Sequence, residues 1–429
     1  MKLMDFLEKY LTPVGAALGN NRYLKAVSSG LVAVVSATIV GSIFTLLANL
    51  PITAYTEWLK ATGFNTILSI PGQCTTDLIA LYAVFFISYN LAKSFKKDGA
   101  GAGLAALVSF MIVTGRTGFF NAEGGAVAAV AVDYLGAKGL FTAMLIALIG
   151  TRLYVWVIDK GWVIKLPESV PPAVANSFSA LIPTAFSVTL WLVVAGVMRM
   201  TSFGSLHAMI FGVIQSNLMK FMGNNIWSFM FFNFATNILW FFGLHGGNIV
   251  GAITNPIYTP LALENLAAFQ AGETVMPNII SGAFTKTFTS GGVGSMFGLA
   301  IVMCIFAKSK QMKTLGRLAL PTTMFFINEP LLFGIPVVLN PLFFFPLLLL
   351  TPTLSFITYN LMRIGIVPIP HGIQLPWTMP PVINGFLQGG IGLAIYEALT
   401  VAAAAAVWFP FFKIVDNQAL KQEQEGGEE

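Results

Sequence analysis

Nine stretches of this chain are apolar for long enough to approach or exceed a bilayer crossing: residues 28–50, 77–92, 99–113, 140–158, 176–198, 226–244, 291–307, 331–360 and 387–412. A helix that crosses the hydrocarbon layer needs about 20 consecutive apolar residues. A soluble core could absorb a few such runs, but this chain is 56% hydrophobic and only 10% charged. Soluble domains carry about 25% charged residues. The sequence therefore predicts an all-α integral membrane protein with about ten transmembrane helices.

The N-terminus reads differently. In MKLMDFLEKYLTPVGAAL, Leu3, Phe6, Leu7, Tyr10, Leu11 and Val14 share one helical face, and Lys2, Asp5, Glu8 and Lys9 interrupt the run. A cleaved signal would need an uninterrupted apolar segment here. Residues 1–27 are expected to form an amphipathic helix, lying in the membrane interface or packed on the protein's own cytosolic face. Basic residues give the orientation. Sixteen of the 23 flank one side: Lys2, Lys9, Arg22, Lys25, Lys93, Lys96, Lys97, Arg152, Lys160, Lys165, Lys308, Lys310, Lys313, Arg317, Lys413 and Lys421. Only Lys60, Arg116, Lys138, Arg199 and Lys220 fall on the other, with Lys286 and Arg363 unassigned. The positive-inside rule then puts both termini in the cytoplasm. The net charge of +5 follows from topology and gives no reason to invoke nucleic acid.

Several classes drop out. Cys74 and Cys304 have no Cys-x-x-Cys spacing, no histidine cluster and no basic neighbour, so a disulfide framework, a zinc site and a reactive thiolate lack support. No phosphate-cradling Gly-x-x-x-x-Gly-Lys-Ser/Thr run is present, which argues against ATP-driven transport within this chain. GAGAGLAAL at 99–107 is read as small residues that let helices approach closely. Neither a cofactor nor a metal is expected.

The organisation changes along the chain. Residues 28–200 read as ordinary spans with short loops, and 201–222 as an amphipathic linker helix too polar to cross comfortably. From 223 to 413 the hydropathy is irregular. Segments 251–290 and 364–386 have short apolar pieces divided by prolines and glycines, which predicts two re-entrant hairpins. Irregular backbone at membrane depth is tolerated only where it is buried in protein or lines a cavity, and transporters build substrate sites that way. Loops outside the membrane are the alternative. Residues 414–429 are expected to be a disordered cytosolic tail.

Polar residues inside the apolar half are functional candidates by default. In WFFGLHGGN (240–248), His245 sits between glycines that end a helix, with Trp240 nearby. A histidine bonded to helix-end carbonyls is the structural alternative. In FFINEPLLFGIPVVLNP (325–341), Pro330 removes a backbone donor and biases Glu329 away from helical geometry. The chain is expected to break there and turn the carboxylate toward a polar cavity. A kink-stabilising ion pair is the alternative. In LPWTMPP (375–381), prolines hold Trp377 as a platform for a sugar ring, with Thr378 beside it to meet hydroxyls. An interfacial tryptophan is the alternative. His371 is read as a satisfied loop histidine.

GLHGGN, INEPLLFGIPVVLNP and LPWTMPPVINGF resemble the motifs of the membrane component, IIC, of the phosphoenolpyruvate-dependent sugar phosphotransferase system. Within it they are similar to the lactose/cellobiose family, which includes diacetylchitobiose transporters. The likeness covers essentially the whole chain. Met379 stands where the family pattern PWTTPP has threonine. The resemblance implies a permease in the bacterial cytoplasmic membrane that works as a homodimer and imports a β-linked disaccharide by alternating access. The early spans, 28–200, would form the dimer interface and 223–413 the sugar-binding domain. A phosphocysteine on a separate IIB protein, recharged by IIA, would phosphorylate the sugar's 6-hydroxyl. Carried over, Glu329 and His245 would contact that hydroxyl as the catalytic pair. Trp240, Gly246, Asn328, Trp377 and Thr378 would complete the substrate site. An ion-coupled sugar symporter with Glu329 as proton site, and a non-transport scaffold, are the rival classes. The basic segments 93–97 and 308–317 are read as topology signals before docking surfaces.

Overall fold

The computed structural model describes Pro13, Ala17 and residues 20–425, except 51–52, 121–125, 168, 224 and 336. The amphipathic helix expected over 1–27 lies, up to residue 19, almost entirely outside the described residues. Six helices are long and apolar enough to cross a membrane: Arg22–Ala48, Phe64–Ser94, Ala137–Asp159, Val174–Arg199, Pro341–Arg363 and Ile383–Glu425. Gly99–Thr114, Ile226–Phe241 and Val293–Phe306 are shorter apolar helices.

The chain divides into two compact units. The first comprises Asn20–Lys220 with the short piece Asn255–Pro260. It contains α1 (Arg22–Ala48), α2 (Thr53–Thr62), α3 (Phe64–Gln73), α4 (Ile79–Ser94), α5 (Gly99–Thr114), α6 (Leu140–Asp159), α7 (Pro172–Ser179) and α8 (Leu181–Arg199). The helices start where polar side chains satisfy free N–H groups. Asn21 accepts from the amides of Tyr23 and Leu24 at 3.0 and 3.2 Å, and Asp98 from Gly101 at 2.8 Å. Small residues set the packing. A Cβ on Gly103 would lie 2.8 Å from Phe85 Cδ2, and one on Gly30 would lie 2.7 Å from the Ile87 Cα. Glycine is therefore required for α1 and α5 to meet α4 at backbone distance.

Two features depart from an all-helical reading of regular spans. Strands β1 (Thr117–Phe120) and β2 (Ala126–Ala129) pair antiparallel, Thr117 opposite Ala129. The linker at 201–222 is helical from Leu206, but it includes π-helical turns at Ile210–Gln215 and Met219–Gly223.

The second unit comprises Phe221–Thr254 and the chain from Leu261 onward. Its helices are α9 (Ile226–Phe241), α10 (Gly246–Gln270), α11 (Met296–Phe306), α12 (Lys310–Met324), α13 (Glu329–Gly334), α14 (Phe344–Arg363) and α15 (Ile383–Glu425), the last interrupted at Gly389 and at Gly390 with φ +70°. The apolar run 331–360 is not one span. Residues 331–334 belong to the short α13, irregular chain follows, and the long helix starts after Pro341. Within 251–290 the chain is helical to Gln270 and irregular only beyond it.

The tail expected to be disordered from 414 continues as helix to Glu425. The reason is capping. Asp416 accepts from the amides of Lys308 (2.9 Å) and Ser309 (3.0 Å). Glu423 accepts from the Ser309 hydroxyl (2.7 Å) and the amides of Lys310 (3.0 Å) and Gln311 (2.8 Å). These carboxylates satisfy the free N–H groups at the start of α12, where the helix dipole favours negative charge.

Candidate functional site

The site candidates all lie in the second unit, at helix interruptions. Helix α9 ends at Phe241, and Gly243, at φ +74°, turns the chain. His245 then caps α10: its Nδ1 accepts the Asn248 amide at 3.2 Å. A neutral imidazole whose Nδ1 accepts carries its proton on Nε2. Nε2–H is thus left to donate outward, and His245 is exposed. Half-buried Trp240 packs its ring 4.4 Å from the imidazole at 47°. Gly246 admits no side chain, because a Cβ would stand 2.1 Å from the Thr236 carbonyl oxygen.

The Asn-Glu-Pro stretch opens a helix. Helix α12 ends at Met324, and Phe326 takes a left-handed conformation at φ +68°. Glu329 is the first residue of α13, with Pro330 in the first turn where its missing N–H costs no hydrogen bond. Asn328 is 6% exposed, and its Oδ1 has no hydrogen-bond partner. Glu329 is exposed. Among the described residues its carboxylate has neither an ion-pair nor a hydrogen-bond partner, so it is not a structural charge holding a kink. The far end of this stretch is joined to the first: the Leu339 amide donates to the Phe241 carbonyl at 3.0 Å, and Phe344 meets Phe241 edge-on at 5.2 Å. No hydrogen bond or ion pair links Glu329 to His245 among the described residues.

Trp377 lies in the irregular chain between α14 and α15 and is 62% exposed. Its indole makes no aromatic or cation–π contact among the described residues. Thr378 beside it is half-buried. The carbonyl of Trp377 accepts from Lys286 Nζ, and the same ammonium lies 3.8 Å from the Phe326 ring centroid. One lysine therefore touches both the LPWTMPP turn and the Asn-Glu-Pro turn.

His371 is not a satisfied loop histidine. Its ring stacks on Phe269 at 4.1 Å and 11°, and its Nδ1 is buried without a partner. Other organising residues escape sequence reasoning. The Asn265 amide nitrogen donates to the carbonyls of Asn278 (2.8 Å) and Pro370 (3.0 Å), knitting the two Pro/Gly-divided segments together. Glu397 is 1% exposed and accepts from the Val382 amide (2.7 Å), the Gly385 amide (2.9 Å) and Asn384 Nδ2 (2.7 Å). A lone carboxylate in an apolar run is itself a signal. Glu397 carries that signal, but it sits mid-run with no break beside it.

Residues 28–351 match the family model for the phosphotransferase system EIIC component. The chain belongs to that EIIC family. It is 34% identical to the oligo-beta-mannoside-specific EIIC component of Bacillus subtilis, over 99% of this chain and 96% of that protein. It is 36% identical to the cellobiose-specific EIIC component of Geobacillus stearothermophilus, with the same coverage of each. Among solved structures, it is similar to the transporter ChbC, the IIC component of the N,N'-diacetylchitobiose-specific phosphotransferase system. That match has a TM-score of 0.91 and 35% identity over 98% of this chain and 99% of that one. A lactose-specific EIICB component of Staphylococcus aureus matches 99% of this chain at 30% identity but only 74% of its own length.

As an EIIC component, the chain is a multi-pass membrane permease of a sugar phosphotransferase system, and the ion-coupled symporter reading falls away. Phosphoryl groups reach such a component from IIB and IIA units.

Proposed function

We propose that this EIIC protein imports a β-linked disaccharide of the cellobiose, diacetylchitobiose or lactose type and presents its 6-hydroxyl to a phosphocysteine on a separate IIB protein. The printed specificities of the relatives support the substrate class. The observation that carries the chemistry is the state of the two candidate groups. Glu329 opens a helix with an unpartnered carboxylate, and His245 has its Nδ1 already engaged and its Nε2 free. In this reading the hydroxyl oxygen attacks phosphorus as the S–P bond breaks. The thiolate leaves, and the hydroxyl proton passes to Glu329 acting as general base. His245 donates Nε2–H to the same oxygen and orients it. Phosphoryl transfer is largely a matter of such positioning. Trp240 and Trp377 stack on the sugar rings, and Asn328, Gly246 and Thr378 border its hydroxyls.

The remaining architecture belongs to the same proposal. The fold has about ten spans, with re-entrant hairpins near 251–290 and 364–386 and both termini in the cytoplasm. Residues 28–200 supply a homodimer interface, 223–413 enclose the sugar, and alternating access carries the loaded site inward.

The test is uptake of radiolabelled cellobiose, diacetylchitobiose and lactose into vesicles, with phosphorylated IIB added or withheld on the cytosolic side. The reading predicts a 6-phosphate ester of one of these sugars, formed only with phospho-IIB. Free sugar accumulating under a proton gradient, with no ester, would overturn it.

A further inference from the structure

Two charged side chains of the second unit have no part in the transfer step. Glu397 is 1% exposed, and Lys286 is half-buried in the segment SGAFTKTFTSGG (281–292). Removing a charge from water is costly unless it is paired and hydrogen-bonded. What each one holds is therefore informative.

Lys286 holds two turns at once, through the carbonyl of Trp377 and the ring of Phe326. The backbone after it lies against the second of these turns. A Cβ on Gly291 would stand 2.7 Å from the Thr323 carbonyl, and one on Gly292 would stand 2.6 Å from Asn328 Nδ2. Glu397 holds the other end of the tryptophan turn through Val382, Asn384 and Gly385. Val382, at φ +71°, and Phe326, at φ +68°, are non-glycine residues in the left-handed region. Such conformations persist only where the surroundings over-determine them. Prolines 376, 380 and 381 restrict the backbone around Trp377, and the carbonyls of Pro376 and Pro380 bond only within the turn, to the amides of Met379 (2.9 Å) and Asn384 (3.0 Å). An indole that is 62% exposed owes its placement to its backbone anchors.

We propose that Lys286, with Glu397 securing the far end of the turn, is a positioning residue that keeps the Trp377 platform and the Asn328–Glu329 turn in one register. The ring that stacks on the sugar and the carboxylate that takes its proton then meet the same substrate. This rests on the function proposed above.

The experiment uses the full chain in vesicles with phospho-IIB and cellobiose. Lys286→Met keeps the volume and removes the charge, and Lys286→Arg keeps the cation. A misplaced platform predicts that KM for cellobiose rises about tenfold or more in Lys286→Met. The thermal unfolding temperature is measured on the same variants, so that a misplaced platform is told apart from a loss of folding. Lys286→Arg should restore KM to within a few-fold of wild type. If Lys286→Met is poorly folded, Lys286→Gln, which leaves Glu397 untouched, carries the measurement. Unchanged KM, or a fall in unfolding temperature with KM unchanged, would overturn the proposal.

A sugar-independent readout separates this failure from failure of the function. In a Cys74→Ser/Cys304→Ser background, maleimide labelling of a Thr378→Cys reporter should speed up several-fold on adding Lys286→Met. Equal labelling overturns the clamp even where wild-type vesicles phosphorylate sugar. Faster labelling sustains it even where none of the three sugars is phosphorylated.

Discussion

In the first unit, hydroxyl groups inside the helices mostly bond back to their own turns. Thr45 donates to the Gly41 carbonyl (3.1 Å), Ser109 to Ala105 (2.7 Å) and Thr114 to Phe110 (2.9 Å). In the second unit hydroxyls do the same, but several buried amide and indole groups reach across to distant segments. Asn237 donates to the Thr351 hydroxyl (2.7 Å), Asn265 to the Pro370 carbonyl (3.0 Å), Gln388 to the Ile373 carbonyl (2.6 Å) and Trp408 to the Gly294 carbonyl (2.7 Å). An uninterrupted helix needs no partner for its backbone in lipid. Interrupted helices free backbone and side-chain groups, and these must be satisfied by long-range bonds or left facing a cavity. The first unit joins its helices at a few hydroxyl contacts, Ser109 to Ser187 (3.4 Å) and Thr114 to His207 (3.0 Å) among them. In the second unit the groups left without a partner among the described residues include the Glu329 carboxylate and Asn328 Oδ1, both beside a helix break.

Glycine substitutions separate the two most sharply. Gly246→Ala forces a Cβ to 2.1 Å from the Thr236 carbonyl and displaces His245 next to it. It should destabilise the second unit by about 1–3 kcal/mol. It should also cut phosphoryl transfer by about 100-fold. Gly196→Ala, on exposed α8 where a Cβ meets nothing, should be neutral or stabilising by up to about 1 kcal/mol. Thermal unfolding and vesicle assays on both variants check this. Comparable losses would erase the contrast.

Next comes His207, a buried ionisable group of the first unit, outside the spanning helices. It is 1% exposed, stacks on Tyr134 at 4.5 Å and 10°, meets Phe110 edge-on at 5.4 Å and bonds Thr114 through Nε2 at 3.0 Å. Burial lowers its pKa to about 4. The unfolded chain takes up this proton first, near pH 6.5. Stability is therefore present in full above pH 6.5 and is lost as pH falls toward 4, on the order of 3 kcal/mol at the end. His207→Phe should flatten that part of the pH profile of unfolding, and an unaltered profile would count against neutral burial. The smallest effect belongs to Lys97, paired with Asp159 at 2.7 Å with both side chains partly exposed. Lys97→Ala should shift stability by less than about 1 kcal/mol in the same assay.

The sequence made the apolar helices and the three polar breaks legible, because run length and proline or glycine placement are local signals. The break before Glu329 and the glycine turn before His245 both follow from chemistry within a few residues. Long-range effects were not legible. Asp416 and Glu423 lie more than 100 residues from the amides they cap, so a charged, apparently solvated tail hid a helix. Proline-free 331–334 looked continuous with the span after Pro341, because a six-residue helix has the same composition as the start of a long one. Lys286 read as an unassigned charge, since its partners at 326 and 377 are far along the chain. The hairpin at 117–129 lies in a stretch with no strong alternation to announce it.

The most direct test of the account is Glu329→Gln, with cellobiose binding and 6-phosphate formation measured on the same vesicles. The amide keeps the shape and hydrogen-bonding reach of the side chain but cannot take a proton. The account predicts binding within a few-fold of wild type and phosphorylation reduced by about 10²–10⁴-fold. Phosphorylation at the wild-type rate would remove Glu329 as the general base, and with it the central claim that the helix break before it exists to serve the transfer.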